Sequence, residues 1–86
     1  MDKSWYLYIL RCADGTLYTG IARDVEARFA QHSCGKGAKY TRGRCPLELV
    51  YQERCESHSE ALKREAAVKK LTRQQKTQLI ENFLDK

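Results

Sequence analysis

No stretch of the chain stays apolar over the roughly 18 residues that a membrane-spanning helix needs, so a membrane protein is excluded. The opening MDKSWYLYIL has no basic region followed by an apolar run and a small-residue cleavage site, so no secretory signal is read there and the cytoplasm is the expected compartment. Four cysteines, at 12, 34, 45 and 55, form no C-x-x-C pair. That spacing argues against a zinc knuckle or a redox motif and leaves free thiols, some of them core fillers. Proline occurs once, and there is no repeat or low-complexity tract. Acidic residues are missing from Ala27 to Pro46, where Arg28, Lys36, Lys39, Arg42 and Arg44 together equal the whole net charge of +5. Such a one-sided field suits a polyanion such as nucleic acid, and a merely solvated basic loop has the same composition.

What is present is an ordinary mix of 42% hydrophobic and 31% charged residues in 86, enough for one small domain spanning residues 1–86. Residues 5–11 and 17–22 are rich in aromatic and β-branched types and flank Ala13-Asp14-Gly15, which predicts a hairpin. A three-residue loop with Gly15 in the left-handed position pairs Cys12 with Thr16, which sets Tyr8 opposite Gly20 and Leu10 opposite Tyr18. Gly20 then leaves a notch beside the Tyr8 ring that a ligand or a backbone could enter; simple packing of both tyrosines is the plainer reading. Asp24 caps a helix to about Ser33, with Val25 and Phe29 on its apolar side. A third strand runs over about 47–54, with Leu47, Leu49 and Tyr51 alternating on one face. Capping boxes at Ser57/Glu60 and Thr72/Gln75 start two more helices, the last with a stripe of Leu79, Ile80, Phe83 and Leu84. The order β-β-α-β-α-α predicts an α+β fold, a three-stranded antiparallel sheet flanked by helices.

Two sets of residues stand out chemically. On the second helix Ala61, Leu62, Val68 and Leu71 define the buried arc, and Glu65 falls in its middle. A buried carboxylate needs a cation, so Glu65 is either the partner of an arginine or a metal ligand. Arg28 and His32, four apart, emerge from one side of the first helix. Phosphate chemistry asks for an arginine, a carboxylate-held Mg²⁺ and a group that orients or deprotonates water, and the tyrosines and histidine offer the last.

The series Tyr6-Leu7-Tyr8, Tyr18-Thr19-Gly20, Arg28, His32 and Glu65, in that order and on those elements, resembles the GIY-YIG nuclease family, and most of all its small stand-alone bacterial members. The likeness covers about residues 4–80 and is strongest in YTGIARDVEARFAQH, GKGAKYTRGR and ALKREAAVKKLTRQQK. Tyr6, Leu7 and Thr19 depart from the family's signatures at structural positions, and Asn82 has no secure match to an asparagine some members carry. The resemblance implies a Mg²⁺-dependent DNA endonuclease, with Mn²⁺ as a possible substitute and a single metal held by Glu65. It gives Tyr8 the attacking water, with His32 or the metal assisting, Tyr18 a hydrogen bond to nucleophile or phosphate, Arg28 the transition-state charge, and Gly20 the room beside them. The DNA backbone would run over Lys36, Lys39, Tyr40, Arg42 and Arg44, the tyrosine offering a stacking face. Repair and branched DNA are the expected settings, and so short a footprint leaves room for a partner protein that delivers the substrate. The competing reading is a nucleic-acid-binding module of the same fold with little or no turnover.

Overall fold

The computed structural model describes residues 4–33 and 47–85, the side chains of 31–33 excepted. Its elements are β1 (Trp5–Arg11), β2 (Leu17–Ala22), α1 (Val25–Ser33), β3 (Glu48–Cys55), α2 (His58–Lys69) and α3 (Arg73–Leu84). The strands form one antiparallel sheet in the order β2-β1-β3, so the α+β reading holds.

The hairpin has the expected register, with Tyr8 opposite Gly20 and Leu10 opposite Tyr18. Its turn closes through Cys12 N–H to Thr16 O and Gly15 N–H to Cys12 O, both 2.9 Å. Gly15 sits at φ 86°, where a side chain would be strained, and this is the residue that permits three loop positions instead of two.

The sheet buries both faces. Leu7 and Ile9 join Val50, Val68 and Ile80 beneath α2 and α3. Tyr8 and Leu10 join Ala22 and Val25 on the other side, with Tyr6, Tyr18, Phe29, Leu47 and Leu49 against them. Fully burying each large apolar side chain contributes about 1.5–3 kcal/mol, so β1, interior to the sheet and buried on both sides, is the main stabilising strand. The strict alternation expected of the third strand is corrected. Ile9 pairs with Tyr51 but Leu10 pairs with Leu49, so Val50 is an extra residue that bulges the strand. The bulge moves Tyr51 to the α2/α3 side while Leu47 and Leu49 pack on the Tyr8 side.

The helix starts follow the capping residues. Asp24 Oδ1 accepts from Ala27 N–H at 3.1 Å at the head of α1. Ser57 Oγ accepts from Glu60 N–H at 3.1 Å, and the Glu60 carboxylate returns to Glu56 N–H, one residue before the cap. At α3 the box is reciprocal: Thr72 Oγ1 takes Gln75 N–H and Gln75 Oε1 takes Thr72 N–H. Two residues read as buried are exposed, Leu62 at 45% and Leu84 at 55%. The buried line of α2 is narrower than the predicted arc: Ala61 and Val68, seven apart, centre it, and Leu62 lies a further 100° round.

Candidate active site on the hairpin face

Because opposed residues of a strand pair share a face, Tyr8 and Tyr18 project to the same side of the hairpin. Their ring centroids lie 6.4 Å apart at 45°. Gly20 is what lets the Tyr8 ring lie down across β2. A Cβ there would meet Tyr8 Oη at 2.7 Å, Tyr8 Cζ at 2.8 Å and Tyr18 Cε2 at 3.1 Å. The predicted notch therefore exists, but the tyrosines' own rings occupy it rather than a ligand.

Tyr8 is 1% exposed. Burial, the largest influence, pushes its phenol above the ordinary 10; the hydrogen bond donated by Arg28 pulls it down, and the nearby Tyr18 and Glu65 push it up again. The net direction is upward, so at neutral pH Tyr8 is an uncharged phenol held by a guanidinium. Strand β1, strand β2, helix α1 and helix α2 thus each contribute one polar group to a common electrostatic neighbourhood.

Glu65 is half-buried on α2, its side chain 21% exposed, and among the described residues its ion pair is with Lys69 Nζ at 3.6 Å, one turn on. That is a loose contact on a helix surface, not the arginine clasp that a purely structural carboxylate would be expected to have. Among the described residues no group of three or more His, Cys, Asp or Glu could hold a metal. A lone carboxylate does not suit Zn²⁺, which takes three or four protein ligands, but it suits Mg²⁺ or Mn²⁺, bound through one or two carboxylates with water and substrate phosphate completing the shell. The residues present fit such an ion.

His32 belongs to α1, one turn beyond Arg28, and its side chain lies outside the described residues. So do Pro46, Lys36, Lys39, Tyr40, Arg42 and Arg44. Asn82 lies on α3 and accepts from Gln78 Nε2 at 3.2 Å, beside Tyr51 and Phe83 on the other side of the sheet from Tyr8.

Sequence reasoning missed one polar group. Tyr51 Oη donates to Glu53 Oε1 at 2.7 Å, and Arg64 Nε donates to Glu53 Oε2 at 2.7 Å. Burial would raise the Glu53 carboxyl, but the hydrogen bonds from Arg64 and Tyr51 outweigh it and hold the group below the usual range. The available signal was Glu53 two residues from Tyr51 on a half-buried strand, the same anomaly that drew attention to Glu65.

A family model described as the GIY-YIG catalytic domain matches residues 4–78. The chain is 58% identical to a UPF0213 protein of Staphylococcus epidermidis over 94% of its own length and 98% of the relative's. A UPF0213 protein of Staphylococcus saprophyticus is 55% identical, with 93% and 96% covered. The solution NMR structure of a Bacillus halodurans UPF0213 protein superimposes with TM-score 0.59 at 49% identity, covering 91% of this chain and 83% of that one. An E. faecalis protein solved by the same method gives TM-score 0.66 at 46% identity, with 98% and 90% covered.

Proposed function

Since the chain belongs to the GIY-YIG catalytic-domain family, a family of nucleases, we propose that it is a DNA endonuclease that hydrolyses a phosphodiester with one Mg²⁺ held by Glu65. The observation that carries this reading is the Tyr8 phenol lying across Gly20, 6.4 Å ring to ring from Tyr18, with the Arg28 guanidinium on its oxygen and the Glu65 carboxylate near enough to influence it. On this reading the four elements would supply a nucleophile-orienting group, an anion-stabilising group and a cation-holding group together, the set that phosphoryl transfer requires.

Tyr8 begins as a neutral phenol, so its first task is to orient the attacking water through its oxygen rather than to act as a strong base. Arg28 already donates to that oxygen, and a planar guanidinium fork suits a non-bridging phosphate oxygen as charge accumulates there. Tyr18, half-buried beside it, offers a hydroxyl to the nucleophile or the phosphate. His32, one turn along α1, is assigned the removal of the proton. Bound at Glu65, the divalent ion would supply Lewis acidity to the phosphate and lower the pKa of a coordinated water. Lys36, Lys39, Tyr40, Arg42 and Arg44 are assigned to the DNA backbone. The two described cysteines, Cys12 and Cys55, are buried free thiols, which accords with work in the reducing cytoplasm.

The test is incubation with supercoiled, single-stranded and branched DNA in Mg²⁺, Mn²⁺ or a chelator. Cutting that requires the metal and disappears in Glu65→Ala is the expected outcome, and preference for branched DNA would point to repair. Tight binding with no cutting in any metal would replace the enzyme with a binding module.

A further inference from the structure

We propose that a second phosphate-binding locus lies at the hairpin turn, in a cleft formed by Thr16, Leu17, Arg73 and Lys76, and that it grips the DNA strand a few nucleotides from the bond cut at the tyrosine face. This extends the nuclease reading and rests on it. The cleft encloses about 200 Å³. Two cations line it, from the first two turns of α3, with a threonine and the start of β2 opposite.

Its shape is set by a tether between distant parts of the chain. Arg73 Nη2 donates to Gly15 O at 2.7 Å, which fastens the head of α3 to the left-handed glycine of the turn. A guanidinium anchored at one nitrogen loses little further freedom on accepting an anion, and its remaining donors stay available. Lys76, one turn along, is half-buried, with its stem against the fold. Asp14 is the acid at the turn, and its Oδ1 accepts from the Thr16 amide at 3.1 Å and the Thr16 hydroxyl at 2.6 Å. Lys69 and Lys70 add positive charge just before α3, Lys69 bridging toward Glu65 at 3.6 Å.

The locus lies at the turn end of the edge strand β2, on the α2/α3 side of the sheet where Leu17 packs, and the tyrosines lie round that edge. Gly20, beneath the Tyr8 phenol, and Thr16, in the cleft, are four residues apart along one edge strand, which at about 3.3 Å per residue is roughly 13 Å. That distance spans about four nucleotides at about 3.4 Å of axial rise each. A strand whose scissile phosphate sits at Arg28 would turn round the β2 edge to reach Arg73 and Lys76, so about four nucleotides is the shortest separation. A protein partner would want an apolar centre, which this cleft lacks; a phosphodiester backbone wants spaced cations.

The test is binding of a labelled duplex of about 20 bp, without divalent metal so that nothing is cut, over a salt series. Lys76→Gln and Arg73→Gln are each expected to flatten log K against log salt by about 0.9 and to lower affinity about fivefold to tenfold. Lys76→Gln removes no tether, so it decides the matter if Arg73→Gln unfolds. A folded Lys76→Gln that keeps the wild-type slope and affinity overturns the second locus while leaving the nuclease intact if the wild type still cuts. An equal loss of affinity for poly-glutamate overturns it too, by making the cleft a general anion site. A wild type that neither binds nor cuts any DNA overturns both.

Discussion

Two polar sets in the molecule carry the same three residue types to opposite ends. On the α2/α3 side Tyr51, Glu53 and Arg64 form a closed set, each oxygen of the carboxylate taken by one neighbour at 2.7 Å. Around the Tyr8 phenol, Arg28 and Glu65 are arranged differently: the arginine bonds the phenol, and among the described residues the carboxylate's ion pair is with Lys69 at 3.6 Å. Both phenols are pushed above 10 chiefly by burial. The carboxylates part company. Glu53 has a partner on each oxygen, a guanidinium and a hydroxyl, as a structural strut would, whereas among the described residues Glu65 has a single ion pair, to Lys69. A tyrosine, an arginine and a glutamate in proximity therefore do not by themselves mark a site, and the proposal for Glu65 rests on how loosely its carboxylate is held.

The sharpest way to break that contrast is to neutralise each acid in turn. Glu65→Gln is expected to cut supercoiled DNA about 10³-fold more slowly in Mg²⁺ and to melt close to the wild-type temperature, since it gives up only a loose surface pair. Glu53→Gln should do the reverse, costing about 1–3 kcal/mol in urea unfolding by leaving Arg64 poorly paired, with cleavage retained. Should Glu53→Gln abolish cutting in a folded protein while Glu65→Gln spares it, the assignment of the two sets is inverted. A smaller effect is expected of Arg28→Lys, about 10²-fold on the cleavage rate, because one ammonium cannot both hold the Tyr8 oxygen and make a forked contact with phosphate. Arg64→Lys, by contrast, should leave the cleavage rate alone, and a matching fall there would mean that the strut feeds the chemistry.

Much of this contrast was legible in the residues. Alternation and turn chemistry fixed the hairpin, because an odd loop length puts Tyr8 and Tyr18 on one side and brings Gly20 opposite Tyr8. Helix starts were legible because a cap is a local hydrogen bond, as at Ser57 and Thr72. The bulge at Val50 was not, since it depends on how β3 meets β1 and no turn residue signals it. Helical periodicity located Glu65 on the inward side of α2 but could not tell it from Arg64, its neighbour, which reaches the other polar group. Which arginine pairs with which acid is decided by helix rotation and strand register together, and neither is encoded in spacing alone. Leu62 failed for the related reason that a helix on a three-stranded sheet buries a narrower stripe than the apolar residues suggest.

Gly20 sharpens the comparison from the tyrosine side. Gly20→Ala introduces a methyl where Tyr8 Oη is 2.7 Å away, and a ring that is 1% exposed has little room to retreat. The phenol must leave Arg28 or the strands must separate, so about 1–3 kcal/mol of stability is expected to go, together with about 10-fold in cleavage rate. Gly20→Ala with unchanged cutting would show that the Tyr8 oxygen is not required where it lies.

The smallest effect concerns the phenol of the closed set. Tyr51→Phe removes one hydrogen bond to a carboxylate that Arg64 still holds, a loss of about 1 kcal/mol at neutral pH. Its signature is in the alkaline range. Burial, followed by the hydrogen bond to Glu53 and the charge of that carboxylate, pushes the Tyr51 phenol up to about 12. Between pH 10 and about 12 the unfolded chain releases this proton while the folded chain keeps it, so the contribution is complete below pH 10 and is lost as pH rises through the folded value. Urea midpoints of wild type and Tyr51→Phe should therefore converge as pH rises, the wild type falling faster. Tyr8 is raised in the same direction, so the variant keeps a residual decline that Tyr8→Phe removes. Parallel curves would mean that the fold does not hold the Tyr51 proton, and the closed set would lose the hydroxyl that distinguishes its carboxylate from Glu65.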